Sequence, residues 1–157
     1  MNEEVLLVQQ QLESFDSEIR IAATKQLSRL PEPSMALFTL CLGDSDWRVR
    51  KVAVETFSQL DLSEKFIPDL IKLLYHPENA GLRNAAIEIL IGLGSRAVTD
   101  LQREILKPDV EVRKFVIDIL GEIGDFRCAP DLIGSLKDAD VNVRYAAVET
   151  LGKLKVE

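Results

Sequence analysis

The chain has 157 residues, 46% of them hydrophobic and 29% charged, enough apolar material for a packed core but only one domain or a short repeat array. Lys and Arg number 19 against 26 Asp and Glu, and the resulting charge of −7 works against a general phosphate-backbone binder. A single histidine, His76, and two distant cysteines, Cys41 and Cys128, argue against multi-imidazole sites and a disulfide framework, and make a reducing compartment the default.

In chain order, five apolar-periodic segments alternate with five copies of one short phrase. The segments are Glu3–Leu12, Ser34–Leu42, Glu64–Tyr75, Arg96–Leu106 and Phe126–Leu136. The phrases that follow them are Asp16-Ser-Glu-Ile-Arg20, Asp46-Trp-Arg-Val-Arg50, Asn79-Ala-Gly-Leu-Arg83, Asp109-Val-Glu-Val-Arg113 and Asp140-Val-Asn-Val-Arg144. The arginines are 30, 33, 30 and 31 residues apart. Around each Arg, apolar residues fall at offsets −1, +3, +7 and +10, one stripe of a 3.6-residue period. The third copy, for example, places Leu82, Ala86, Leu90 and Leu93 there.

The Asp or Asn four residues before each Arg stands where an N-cap belongs. Ser63, Ser95 and Asp125 are available to cap three of the preceding segments, and Pro77 and Pro108 stop two of them. Each repeat is therefore a helix A, a tight turn and a helix B. Such a pair of about 30 residues buries its apolar face only by stacking on neighbours. The Gly92-Leu93-Gly94 run is not read as a dinucleotide loop, since no strand precedes it and neighbouring repeats carry glycines at the same place.

The phrases Asp109-Val-Glu-Val-Arg113-Lys-Phe-Val-Ile-Asp-Ile-Leu120-Gly-Glu-Ile-Gly124 and Asp140-Val-Asn-Val-Arg144-Tyr-Ala-Ala-Val-Glu-Thr-Leu151-Gly resemble the HEAT-like repeats of phycobilisome bilin lyases. The resemblance runs along almost the whole chain and is sharpest from Glu64 onward. It implies an all-α, right-handed α-α superhelix (solenoid) of about five helical hairpins. Residues 1–157 then form one repeat domain, divided near 1–30, 31–60, 61–94, 95–124 and 125–157. No cofactor is implied. Deoxyhypusine hydroxylase, an enzyme of this fold, binds iron through repeated His-Glu pairs that are absent here.

The arginine column, Arg20, Arg50, Arg83, Arg113 and Arg144, reads either as an anion-binding row or as a structural ladder. In the ladder each guanidinium meets the Asp of its own or a neighbouring turn, Asp16, Asp46, Asp109 or Asp140. Repetition in every layer favours the ladder, with the third rung in doubt at Asn79. Binding is sought instead at the exposed offsets of helix B. Offset +1 holds Ile21, Lys51, Asn84, Lys114 and Tyr145; offset +5 holds Lys25, Glu55, Glu88, Asp118 and Glu149. The family resemblance puts these on a concave surface, as an acidic ribbon flanked by Trp47 and Tyr145.

Such a ribbon suits a partner protein with a basic or amphipathic segment. The reading is a non-catalytic, cytoplasmic interaction scaffold that engages neither nucleic acid nor membrane. The alternative is a subunit of a phycobiliprotein bilin lyase or isomerase. No apolar run nears the roughly 18 residues of a membrane span, and Met1-Asn2-Glu3-Glu4 is acidic where a secretory signal is basic. The last helix, Val143–Leu154, keeps the internal pattern and carries Val148, Leu151 and Val156. That face is therefore expected to meet another chain or another stretch of repeats.

Overall fold

A computed structural model describes residues 3–32, 34–60 and 63–154; Met1, Asn2 and Val156 lie outside the described residues. The A helices are α1 (Glu3–Leu12), α3 (Met35–Leu42), α5 (Ile67–Leu73), α7 (Val98–Glu104) and α9 (Ala129–Ser135). They alternate with the B helices α2 (Ser17–Gln26), α4 (Trp47–Ser58), α6 (Ala80–Leu93), α8 (Val110–Ile123) and α10 (Val141–Lys153). Three A helices are entered through a 3-10 turn, at Ser63–Phe66, Gly94–Arg96 and Phe126–Cys128. Among the described residues there is no strand.

Each B helix begins where an oxygen of the phrase's first side chain caps it. Asp16 accepts from the Glu18 amide, Asp46 from Arg48, Asn79 from Leu82, Asp109 from Val112, and Asp140 from Asn142 and Val143. Asp125 caps the 3-10 turn at Phe126 by accepting from the Arg127 amide. Ser95 does not cap: it lies inside its 3-10 turn, and α7 starts at Val98 after an N-cap, Ala97, that makes no side-chain cap bond. Ser63 likewise lies within a 3-10 turn and is buried.

The chain forms two compact units, Met1–Ile89 and Leu90–Glu157, a division that falls inside α6 and that repeat spacing alone does not mark. In the first unit α2 packs on α4, and α1 and α3 back them. Its core centres on Phe57, whose ring meets Phe38 edge-on at 5.0 Å and Phe66 at 5.7 Å. In the second unit α8 packs on α10, with α7 and α9 behind. Here the approach is close: a Cβ on Gly121 would stand 2.9 Å from Thr150 Oγ1, so this crossing requires glycine. Gly124 ends α8 in the left-handed region, φ 71°, and returns its N–H to the Leu120 carbonyl. The predicted stripe is the core, with Ile19, Ile123 and Leu151 the members that are not fully buried.

Candidate functional site

Every arginine of the column does the same thing first. Its Nη1 donates to two carbonyls in the turn before its own helix B: Ser14 and Phe15 for Arg20, Asp44 and Ser45 for Arg50, and His76 and Pro77 for Arg83. Lys107 and Pro108 serve Arg113, and Asp138 and Ala139 serve Arg144. These ten contacts span 2.7–3.2 Å and satisfy carbonyls that the turn leaves without partners. A guanidinium fits because its fork reaches both at once.

The carboxylate rungs differ from the sequence expectation. Arg20 forms a bidentate pair with Asp44 at 2.7 and 2.9 Å, and Arg113 with Asp138 at 2.9 Å for both bonds. The partner is thus the residue two before the next cap. The caps Asp16, Asp46, Asp109 and Asp140 spend an oxygen on helix amides, which aims them away from the preceding arginine. Asp44 and Asp138 each also accept the amide of the cap that follows. The Asp-x-Asp spacing, present only in the second and fifth turns, was the readable signal for them. Arg50 meets carbonyls instead and lies against the backbone of Gly81, where a Cβ would stand 2.9 Å from its Nε. These partners, Arg113 first among them, hold the Asp138 carboxyl below its ordinary range in spite of its burial.

In the first repeat, Ile21 and Lys25 line an open depression of about 540 Å³ with Glu4, Glu18 and Arg29. Most other exposed B-helix positions gather in two further depressions, one in each unit. Trp47, Lys51, Asn84 and Glu88 line the first of these two together with Arg50, Val54, Gly81 and Ala85, enclosing about 290 Å³. Lys114, Asp118, Tyr145 and Glu149 line the second together with Glu122, Asn142, Ala146 and Lys153, enclosing about 360 Å³. Glu55 sits beside the first, on α4. Trp47 and Tyr145 are exposed to 62% and 71%. The offset +5 carboxylates do not make a uniformly acidic track: Lys51 stands 4.0 Å from Glu55, Lys114 2.9 Å from Asp118, and Lys153 3.4 Å from Glu149. Each is an i,i+4 partner within one helix.

The basic cluster beside Trp47 is likewise committed. Arg48 reaches Glu18 at 2.7 Å, Ser17 at 3.0 Å and Asp46 at 2.8 Å, and its guanidinium holds the Asp46 carboxyl at about 2. Cys41 and Cys128 are free and buried; desolvation pushes the Cys41 thiol up to about 11. His76 is exposed, and its carbonyl takes part in the Arg83 clamp. Among the described residues, no three His, Cys, Asp or Glu side chains group as a metal site would require, and no helix is long and apolar enough to cross a membrane.

Capped hairpins repeating every 30 to 33 residues, each clamped by one arginine, define an all-α repeat protein of the superhelix class. The chain belongs to the HEAT-repeat family, whose model matches residues 5–91 and 99–157. A solved structure of the complex of CpcE and CpcF of phycocyanin lyase from Nostoc sp. PCC7120 is similar over 100% of this chain and 66% of that one, at 22% identity and TM-score 0.49. A structure in which Kap95p binds RanGDP is similar over 95% of this chain and 25% of that one, at 16% identity and TM-score 0.54. The chain thus spans just under two thirds of the first of these and a quarter of the second. No curated protein matches it.

Proposed function

We propose that the chain is a non-catalytic protein–protein interaction scaffold of the cytoplasm, holding a partner segment against its B-helix surface. The observation that supports this is the pair of exposed aromatics, each set in a depression of helix-borne charges: Trp47 with Lys51 and Glu88, Tyr145 with Lys114, Asp118 and Glu149. An aromatic anchor ringed by polar groups is the arrangement that concentrates binding energy in protein interfaces. Because three of the four carboxylates are matched by lysines, the fitting segment is amphipathic and of mixed charge. Such a segment would place an apolar side chain on the aromatic of the depression it fills and, at the Trp47 depression, a basic one opposite Glu88. Membership in the HEAT family supports an interaction role, and the overall charge of −7 disfavours nucleic acid.

The test is a crosslinking pull-down from native lysate, with the captured partner then titrated against purified variants. Trp47→Ala with Tyr145→Ala should weaken binding at least tenfold, and Glu88→Lys should weaken it further, while helix content stays unchanged. Unaltered affinity in both variants would remove the B-helix surface from consideration. A visible absorbance band on incubation with a bilin would replace the scaffold by the lyase alternative.

A further inference from the structure

Ile19 of the first repeat and Leu136 and Val148 of the fifth line none of the three depressions, and their chemistry is independent of the scaffold reading. In the second unit, Ile117 of α8 is buried where α10 packs; its carbonyl accepts from Thr150 at 3.4 Å. The same offset in the fifth repeat is Val148, exposed to 59%. Leu136 repeats this contrast: it is more than a third exposed, whereas Leu12 and Leu42 hold the same place before the cap and are buried. The outer face of the fifth repeat therefore keeps the apolar residues with which the first, second and fourth repeats receive a following hairpin.

The first repeat carries the matching half. Ile19 is 43% exposed, while its counterparts Val49 in the first unit and Val143 in the second, both with a preceding repeat packed on them, are wholly buried. The rung geometry gives the register. Ser14 occupies the position of Asp44 and Asp138, two residues before a cap, and like them its side-chain oxygen accepts the amide of that cap, Asp16. Asp44 and Asp138 also receive the arginine of the repeat before them. At the other end, Arg144 clamps the Asp138 and Ala139 carbonyls, as every arginine of the column clamps its turn, and forms no ion pair among the described residues.

The geometry points to head-to-tail association of this chain. The first repeat of a second copy seats on the outer face of the fifth, covering Ile19 and Val148 and bringing Ser14 of one copy to Arg144 of the other. The contact continues the repeat-on-repeat packing already present within each unit, and both halves of it are carried by one molecule. Because the two halves differ, the interface is heterologous: each copy offers one face of each kind, and association grows with concentration.

Sedimentation velocity on the full chain tests this. The weight-average mass of the wild type should rise with concentration. Ile19→Asp and Val148→Asp should each be monomeric alone. Mixed in equal amounts they should form a one-to-one pair and nothing larger, since each retains one intact face. Ser14→Asp should complete the rung as Asp44 and Asp138 do, tightening association about tenfold at low salt, the gap between a neutral and a charge-assisted hydrogen bond. That gain should vanish with Arg144→Gln. A chain that stays monomeric even as Ser14→Asp overturns the proposal. So does a dimer that persists in Ile19→Asp, which would mean the fifth repeats meet face to face.

Discussion

Replacing Arg113 by Met should destabilise the second unit by about 5 kcal/mol, about 3 from the carboxylate pair and about 2 from two carbonyl bonds, whereas the same change at Arg50 should cost the first unit about 2 kcal/mol. Both substitutions keep the apolar stem and remove the guanidinium. At Arg113 four hydrogen bonds of 2.8–2.9 Å are lost, two of them to a carboxylate. The side chains of Arg113 and Asp138 are only 11% and 14% exposed, so the orphaned Asp138 keeps its charge in a poorly solvated place with one amide for support. Breaking a buried pair costs about 3–5 kcal/mol, and the residual exposure argues for the lower end. At Arg50 the bonds lost go to two carbonyls, worth about 1 kcal/mol each.

Urea unfolding followed by far-UV circular dichroism measures both. The Arg113 cost should also depend on pH. Arg113 lowers the Asp138 pKa in the folded chain, so the unfolded state binds the proton first. The stabilisation is then complete above the unfolded value of about 3.9 and is lost as pH falls through the lower folded value. The gap between wild type and Arg113→Met should hold from about pH 7 to about pH 5 and narrow below about pH 4. Adding Asp138→Leu to Arg113→Met should recover part of the loss. Equal costs at Arg50 and Arg113, or a gap that does not narrow in acid, would refute the assignment of the rung to Asp138.

Gly121→Ala should destabilise the second unit by about 1–2 kcal/mol despite the better helix propensity of alanine, because the new methyl meets buried Thr150 at 2.9 Å; Thr150→Ala in the same chain should restore stability in thermal melts. Cys41, its thiol pushed up to about 11 by burial, should resist alkylation by iodoacetamide near pH 8 in the folded chain and react promptly in urea; equal rates in both would show the site to be open.

The repeat phase, the caps and the apolar stripe were legible because each is local: a capping oxygen and a 3.6-residue period reside within a dozen residues. The rungs were not, because they depend on how far one hairpin advances relative to the next. The column of Asp at offset −4 looked like the arginines' partner, yet a capping carboxylate is already turned to its own helix amides. The Asp-x-Asp spacing singles out Asp44 and Asp138, but only the advance of the following turn brings them to the arginine. The charge compensation on the B helices was different, since Lys51–Glu55, Lys114–Asp118 and Glu149–Lys153 are plain i,i+4 pairs. Viewed down a column across repeats, rather than along each helix, these offsets hide their partners and make the surface look more acidic than it is.

That distinction bears on where specificity can reside. The arginine clamp consumes main-chain carbonyls, which every repeat supplies whatever its side chains, so the hairpin turn is fixed without constraining offsets +1 and +5. Offset +1 uses that freedom, with Ile21, Lys51, Asn84, Lys114 and Tyr145 at one position, while offset +5 keeps a carboxylate in every layer but the first, where Lys25 stands. A structural column tolerates no such spread, as the five arginines show. Neither offset is needed by the clamp, and the spread at offset +1 marks the exposed B-helix surface as released from folding. Glu88, with no lysine four residues away on α6, is where charge reversal should change partner affinity most while leaving the unfolding midpoint where it was.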